Sequence, residues 1–175
     1  MGRSRKHGLG RAFGARVIAT AGSEAKLKFA RKQGAEHAVN YGGADWAEEV
    51  KRLTGERGVD VVFDPVGGDV FELSAKCMAP EGRLLVVGFA SGRIPTVAAN
   101  RVLLKNLSVM GVFWGACTQA HPEYIRKTQR ELERILGEEM IEPVVSKRYP
   151  LSEAPRAMRD LADRKILGKA VLEIW

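Results

Sequence analysis

The sequence has few of the residues from which metal sites and disulfide frameworks are built. Its 175 residues include two cysteines, Cys77 and Cys117, and three histidines. Two cysteines so far apart in sequence predict free thiols that are buried or half-buried, and they fit neither a disulfide framework nor a zinc site. The small set of possible ligands leads us to expect no metal.

Long apolar runs are also missing. No stretch approaches the roughly 20 apolar residues that a helix needs to cross a bilayer. Residues 1–11 are basic, but no apolar block follows them, so they do not resemble a secretory signal. We therefore expect a cytoplasmic protein that does not associate with membranes.

Positive charge is in excess, and aromatic residues are few. The formal net charge is +7, yet basic and acidic residues alternate along the predicted helices, and aromatic residues make up 7% of the sequence. A nucleic-acid-binding protein, whose affinity would fall steeply with salt, remains an alternative that rests on charge alone. We expect no nucleic-acid partner, because a basic balance equally suits the binding of a polyanionic cofactor.

Short β-branched runs alternate with amphipathic segments along the whole chain. Strands are predicted at residues 16–21, 37–41, 59–65, 83–89, 107–113, 144–149 and 170–174. Helices are predicted at residues 23–32, 44–54, 69–77, 97–104, 122–137 and 152–162. This alternation predicts an α/β fold with a doubly wound, Rossmann-like parallel sheet. The strand at 59–65 is apolar on both faces and is expected to be buried by helices on both sides.

The glycines near the N-terminus do not form a complete phosphate-binding turn. Residues 1–10 are an atypical basic segment with no strand, and too little chain separates the glycines from the strand at 16–21 for a full helix. We interpret "GLGRAFGA" as the end of a helix that Gly14 terminates. The first strand of the sheet is expected to be absent, which leaves an open edge and favours oligomers or aggregation.

From residue 11 onward the chain resembles the cofactor domain of the medium-chain dehydrogenase/reductase superfamily, in particular its zinc-free NADPH:quinone oxidoreductases. The resemblance rests on "RAFGARVIATAGSEAKLKFARKQGAEHAVNY", "GVDVVFDPVGGDVFE", "APEGRLLVVGFASG", "LLKNLSVMGVFWG" and "YPLSEAPRAMRDLADRKILGKAVLEI". It implies an NADPH-binding Rossmann-like domain over residues 11–175. Two family features, the N-terminal barrel-like domain and the glycine-rich turn with its strand, are not in this sequence.

Several residues fit a site for the 2′-phosphate of NADPH. Gly22 and Ser23 leave room after the first predicted strand, and Lys26 supplies a positive charge where NAD-binding proteins usually place an acid. Lys26 could equally be a plain surface lysine. The resemblance implies that Tyr41 lies against the adenosine phosphate and that Arg164 returns to the 2′-phosphate, although Lys165 or Lys169 could take the latter role. Tyr41 as an edge tyrosine and Arg164 as a solvated helix-end charge remain alternatives.

Three loops that follow predicted strands fit the nicotinamide half of the cofactor. Ligands of open parallel sheets bind beyond the carboxyl ends of the strands, where Val66, Gly88 and Phe89 lie. The resemblance adds Phe113, whose segment faces the nicotinamide amide, although Phe113 and Trp114 could instead be core or interface aromatics. No nucleophile or acid–base constellation is recognisable, and we name no catalytic residue because the nicotinamide itself carries the hydride.

The resemblance implies an oxidoreductase that transfers hydride from NADPH to a quinone or another activated alkene or carbonyl, in a homodimer or homo-oligomer. A second hypothesis is a truncated, non-catalytic nucleotide-binding or dimerisation module derived from such an enzyme. The two differ in turnover, because both predict that the chain binds NADPH.

Overall fold

The computed structural model describes residues 8–175, so most of the predicted basic segment 1–10 lies outside it. Within this range every predicted strand and helix occurs, with shifted ends. The strands are β1 (Ile18–Ala21), β2 (His37–Asn40), β3 (Val59–Asp64), β4 (Met78–Val86), β5 (Ser108–Gly111), β6 (Val145–Pro150) and β7 (Lys169–Glu173). The α-helices are α1 (Leu9–Ala12), α2 (Glu24–Lys32), α3 (Trp46–Leu53), α4 (Gly68–Ser74), α5 (Ala99–Lys105), α6 (Trp114–Ala120), α7 (Glu123–Gly137) and α8 (Ala154–Ala162).

Helix ends follow local sequence signals in most places. Gly14 (φ +80°) follows α1 and Gly34 (φ +88°) follows α2, both in left-handed conformations that suit a residue without a Cβ atom. Ser23, the first residue of the predicted helix 23–32, instead precedes α2 in an extended conformation, and its hydroxyl makes no capping hydrogen bond. The prediction that Ser152 begins α8 is wrong, because Ser152 lies in the preceding 3-10 turn Leu151–Glu153. No helix within residues 8–175 is long and apolar enough to span a bilayer.

The strands pair in parallel throughout residues 8–175, which confirms the predicted α/β class. Hydrogen bonds divide them into three ladders, β1–β2, β3–β4–β5 and β6–β7. Ala21 at the end of β1 pairs with Asn40 of β2, and Asp64 at the end of β3 pairs with Val86 of β4. Within each ladder the strands therefore end side by side, and the loops that follow them emerge together.

Helix α3 packs side chains from two of these ladders into one apolar cluster. Its buried residues Trp46 and Val50 pack with Val39 of β2, and Ile18 of β1 and Val59 of β3 lie against the same cluster. Each fully buried side chain of this kind contributes about 1.5–3 kcal/mol. Apolar packing therefore holds β1–β2 and β3–β5 together in the absence of a ladder between them.

Strand β3 is covered on one face. A second buried cluster forms beside it from Phe71 of α4, Met78 and Leu84 of β4. The side chains of Val61 and Phe63 are 44% and 65% exposed. The expectation that helices cover both faces of this strand is therefore wrong, because no segment of the described residues lies over Val61 and Phe63.

The C-terminal elements β6, α8 and β7 form a third packed unit, in which three polar side chains are hydrogen-bonded to each other. The Tyr149 hydroxyl donates to the Asp160 carboxylate at 2.7 Å, and the Lys147 ammonium donates to the same carboxylate at 3.0 Å. These two hydrogen bonds hold the pKa of the Asp160 carboxyl below its usual value. The unit lies close to α2, where Gly168 faces the ring of Phe29.

We predict that the two cysteines differ strongly in reactivity. Cys77 is buried, its thiol donates to the Ser74 carbonyl, and burial raises its pKa to about 11, whereas Cys117 is partly exposed. At about pH 7.5, iodoacetamide should therefore alkylate Cys77 at least about 100-fold more slowly in the folded chain than in urea. Peptide mass spectrometry measures both rates, with Cys117 as the internal control. Equal alkylation of Cys77 in both states would contradict the burial of this cluster.

Candidate functional site

Four of the residues predicted to bind the 2′-phosphate come together at the carboxyl ends of β1 and β2. The backbone N–H of Tyr41 donates to the carbonyl of Ala21 at 3.2 Å, which extends the ladder by one residue. A Cβ atom on Gly22 would lie 3.1 Å from the Tyr41 ring, so the ring rests on the glycine. Ser23 follows directly, and the half-buried Lys26 lies in the first turn of α2.

This corner of the molecule is positively polarised. The first helical hydrogen bond of α2 is donated by the N–H of Leu27 to the Ser23 carbonyl at 3.0 Å. The N–H groups of residues 24–26 therefore have no partner within the helix. Among residues 8–175, the Lys26 ammonium and the Ser23 hydroxyl also have no partner. Free N–H groups and a helix dipole favour an anion at this position, and the lysine adds a full charge.

The carboxylate nearest to this corner, Glu24, is engaged elsewhere. Arg31 donates to Glu24 at 3.1 Å from about two turns further along α2, and the same guanidinium donates to the Ala38 carbonyl at 3.1 Å. Such an exposed pair adds little to stability. Its local effect is to neutralise the acid that would otherwise repel a phosphate. The sequence alone gave no sign of the contact between Arg31 and Glu24.

A buried carboxylate organises the loop after β3. Asp64 is 4% exposed, and it accepts hydrogen bonds from the N–H groups of Val66 at 2.6 Å and Gly67 at 3.1 Å. These charge-assisted bonds fix the path of the "DPVGG" turn. Sequence reasoning named Val66 and missed Asp64, although an acid directly after an apolar strand was a usable signal.

The predicted nicotinamide residues Val66, Gly88 and Phe89 lie on two loops that bind each other. The N–H of Ser91 donates to the Val66 carbonyl at 2.9 Å. A Cβ atom on Gly88 would lie 3.4 Å from the Pro65 carbonyl, so the second loop passes close to the first. The structure thus brings these three residues to one edge, at the carboxyl ends of β3 and β4.

Phe113 lies two residues after the end of β5 and is highly exposed. The N–H of Val112 donates to the Val86 carbonyl at 2.9 Å, which carries the β4–β5 ladder up to this segment. Phe113 is 77% exposed and Trp114 is 50% exposed. The alternative of core aromatics is therefore wrong within residues 8–175. An exposed ring at this edge is available to a ligand or to another chain.

Arg164 lies beside the β6–β7 ladder, whereas Lys26 lies beside the β1–β2 ladder. It occupies the turn between α8 and β7 with φ +58°, and its guanidinium has no carboxylate partner among residues 8–175. The alternative cation Lys165 donates to Asp163 at 2.7 Å, and this contact raises the pKa of the Lys165 ammonium. Lys165 is thus engaged, and the approach of Arg164 to the 2′-phosphate stays a prediction.

The described residues offer a metal no donor set. Residues 8–175 contain no group of three or more His, Cys, Asp or Glu side chains that could hold an ion. Two surface cavities of about 500 and 470 Å³ lie away from the predicted site, one between α2 and residues 142–145 and the other between α1 and α7. Neither is lined by a predicted cofactor-binding residue.

Comparison with known proteins places this arrangement among dehydrogenases and reductases. The model of the zinc-binding dehydrogenase family matches residues 9–130. Quinone oxidoreductase-like protein 2 of Bos taurus is 41% identical over 161 residues, which are 91% of this chain and 46% of that protein. The chain thus spans about half the length of the curated relatives that it matches.

Solved structures show the same fold with different coenzymes. A mycobacterial protein complexed with NADPH superposes with a TM-score of 0.84 and 32% identity, covering 98% of this chain and 53% of its own. An NAD-dependent alcohol dehydrogenase superposes with a TM-score of 0.81 and 38% identity, covering 95% of this chain and 46% of its own. The fold is therefore shared with oxidoreductases of both coenzyme types.

We predict that the turn held by Asp64 tolerates no Cβ atom at Gly67. A Cβ there would lie 2.9 Å from the Arg93 carbonyl, whereas at Gly92 it would meet nothing within 4 Å, and both residues have positive φ. Gly92→Ala should cost about 1–2 kcal/mol through backbone conformation alone. Gly67→Ala should cost about 1–3 kcal/mol more, because backbone must shift. Urea unfolding measures both, and equal costs would contradict the close approach of the two loops.

Proposed function

The chain belongs to the zinc-binding dehydrogenase family, and on that premise we propose that it binds NADPH and serves hydride transfer to a quinone or another activated alkene or carbonyl. The bovine relative is named quinone oxidoreductase-like, and a structural neighbour is complexed with NADPH. Both support the proposal by similarity. The proposal assigns no role to zinc, and residues 8–175 contain no group of three or more side chains that could hold a metal ion.

One observation carries the coenzyme assignment, namely the positive corner formed by Gly22, Ser23, Lys26 and Tyr41. NAD-binding Rossmann proteins usually place an acid here for the ribose 2′-hydroxyl, and an acid repels a 2′-phosphate. Here the nearby acid, Glu24, is paired with Arg31. The free Lys26 ammonium and the helix N–H groups would instead receive the extra phosphate of NADPH. Arg164 would complete this subsite.

The loops after β3, β4 and β5 would hold the nicotinamide half. Bound NADPH supplies the hydride, so this chain's residues have to bind and orient the ring. Val66, Gly88 and Phe89 would line its edge, and the exposed ring of Phe113 would shield it from water. Asp64 would act as a positioning residue, because its carboxylate accepts from the N–H of Val66 and so fixes the loop that carries Val66.

A second candidate function is a nucleotide-binding or dimerisation module without turnover. An electron acceptor needs a cleft beside the nicotinamide, and the cavities of the described residues lie elsewhere. We propose a quinone or enone as the acceptor and a homodimer as the assembly, without a nucleic-acid partner.

We predict that reversing the charge of Lys26 removes the preference for the phosphorylated coenzyme. Lys26→Glu should weaken NADPH binding by about 10- to 100-fold, the loss expected for one charged contact, while NADH binding changes by less than about threefold. Isothermal titration with both coenzymes measures the ratio. Arg164→Glu should act in the same direction if that residue reaches the subsite.

The matched control is Lys28→Glu, an equal charge change two residues further along α2, where the side chain faces away from the Lys26 side. It should leave the NADPH-to-NADH ratio unchanged. An unaltered ratio in Lys26→Glu, or an equal fall in both variants, would contradict a 2′-phosphate subsite at this corner.

Turnover separates the enzyme from the module. We expect the chain to oxidise NADPH in the presence of a benzoquinone or naphthoquinone, with the consumption of NADPH followed by its absorbance and its binding by fluorescence. Phe113→Ala should lower the rate more than the affinity for NADPH, because shielding matters only during transfer. Binding without oxidation would favour the module, and the absence of both would refute the proposed function.

A further inference from the structure

We propose that the cavity between α1 and α7 binds an aromatic monocarboxylate, at a site separate from the proposed coenzyme site. The inference does not depend on the coenzyme or on turnover. The α1–α7 cavity has a volume of about 470 Å³, and small-molecule sites usually measure about 300–1,000 Å³. Its apolar lining comes from three helices and consists of Leu9, Phe13, Trp114, Tyr124, Leu132 and Ile135.

One face of α7 forms the larger part of the lining. Helical residues three, four, seven or eight positions apart lie on the same face, and Tyr124, Thr128, Glu131, Leu132 and Ile135 have this spacing. Leu132 is half-buried and Ile135 is fully buried. Helix α7 therefore brings apolar and polar side chains to one surface of the size of a small ligand.

Lys127 is an unpaired cation at this cavity. Its usual partner one turn further along the helix would be Glu131. Arg134 donates to both oxygens of the Glu131 carboxylate instead, at 3.0 Å and 2.6 Å, and so holds the pKa of that carboxyl below its usual value. Among residues 8–175 the Lys127 ammonium has no partner. The lining thus combines a neutralised acid with an unpaired cation, and its charge favours an anion.

The donors beside the cavity match a carboxylate. Thr128 follows Lys127 in the lining, and within the described part of the chain its hydroxyl has no partner either. An ammonium and a hydroxyl can each donate to one oxygen of a carboxylate. A phosphate carries a charge of about −1.5 to −2 at pH 7 and would need more than the one unpaired cation. The anion is therefore a monocarboxylate.

The aromatic lining favours a flat ligand over a flexible chain. Phe13 and Trp114 are exposed beside the cavity, and the Tyr124 ring stacks on His121 with 5.0 Å between the centroids and an interplanar angle of 22°. Aromatic rings pack favourably on one another in offset or edge-to-face contacts. A rigid ring system also loses less conformational freedom on binding than an alkyl chain does.

Isothermal titration of the full chain with 2-naphthoate tests this site. We expect a dissociation constant of about 0.1 mM or lower, as suits a ligand of this size. 2-Naphthamide has the same rings without the charge, and it should bind at least about tenfold more weakly, the loss expected for one charged hydrogen bond. Octanoate keeps the charge without the rings and should bind at least about threefold more weakly.

Two variants separate the charge from the apolar lining. Lys127→Gln should weaken 2-naphthoate binding by about tenfold and change 2-naphthamide binding by less than about twofold, because only the acid meets the cation. Trp114→Ala should weaken both ligands by about fivefold, because both lose the same ring contact. Both side chains are exposed, so neither change should disturb the fold.

The matched control is Arg126→Gln. Arg126 has the same charge as Lys127 and no partner among residues 8–175, but it lies on the opposite face of α7 from Tyr124 and Thr128. This variant should leave the binding of 2-naphthoate unchanged. Equal losses in Arg126→Gln and Lys127→Gln would mean general attraction by a basic helix and would overturn the proposal.

Titration with saturating NADPH distinguishes this site from the coenzyme site. The affinity for 2-naphthoate should be the same with and without NADPH, and it should be the same in Lys26→Glu as in the unchanged chain. The two proposals therefore fail separately. Competition between 2-naphthoate and NADPH would place the probe in the coenzyme site and would contradict the inference.

Four further results would overturn the proposal. The cavity would have no ligand of this class if millimolar 2-naphthoate gave no binding. Equal affinity for 2-naphthamide would remove the role of the cation, and equal affinity for octanoate would remove the preference for rings. An affinity that falls as the protein concentration rises would assign the cavity to a contact with a second copy of the chain.

Discussion

Packing against helix α3 is the interaction on which the arrangement of the strands depends. No ladder joins β1–β2 to β3–β5 within residues 8–175. Side-chain packing therefore holds these strands together, as backbone hydrogen bonds do in a continuous sheet. Trp46 and Val50 belong to a buried cluster with Val39 of β2, and Ile18 of β1 and Val59 of β3 pack against that cluster. Because apolar packing is short-ranged, it fixes the strands only while the helix remains buried between them.

The candidate site forms because neighbouring parallel strands end at the same edge of each ladder. Parallel strands that end together deliver their loops to one edge, so Gly22 and Tyr41 meet beyond β1–β2 while Val66 and Gly88 meet beyond β3–β4. The two halves differ in chemistry. The first offers a free cation and helix N–H groups, and the second offers apolar side chains on loops fixed by Asp64. An elongated ligand with an anionic end and an apolar, planar end matches both.

Elements were predictable from sequence because their signals are local, whereas exposure and pairing depend on distant parts of the chain. The alternation of β-branched runs with amphipathic segments located all seven strands of residues 8–175. Helix α6 was missed, because "WGACTQA" has no apolar periodicity. The burial of Val61 and Phe63 was predicted wrongly, since an apolar strand sequence does not reveal what covers it. The Glu24–Arg31 contact depends on rotamers, and no spacing rule marked it.

Joining two ladders through side chains alone has a mechanical consequence. Rotation of one ladder against the other about α3 would break no backbone hydrogen bond, so resistance to that rotation comes from the helix and from whatever lies across the cleft. A nucleotide bound at one end by the loops of β1–β2 and at the other by the loops of β3–β5 would resist this rotation. Such a ligand would reduce the motion of the two ladders relative to each other, and the protein would in turn restrict the motion of the ligand.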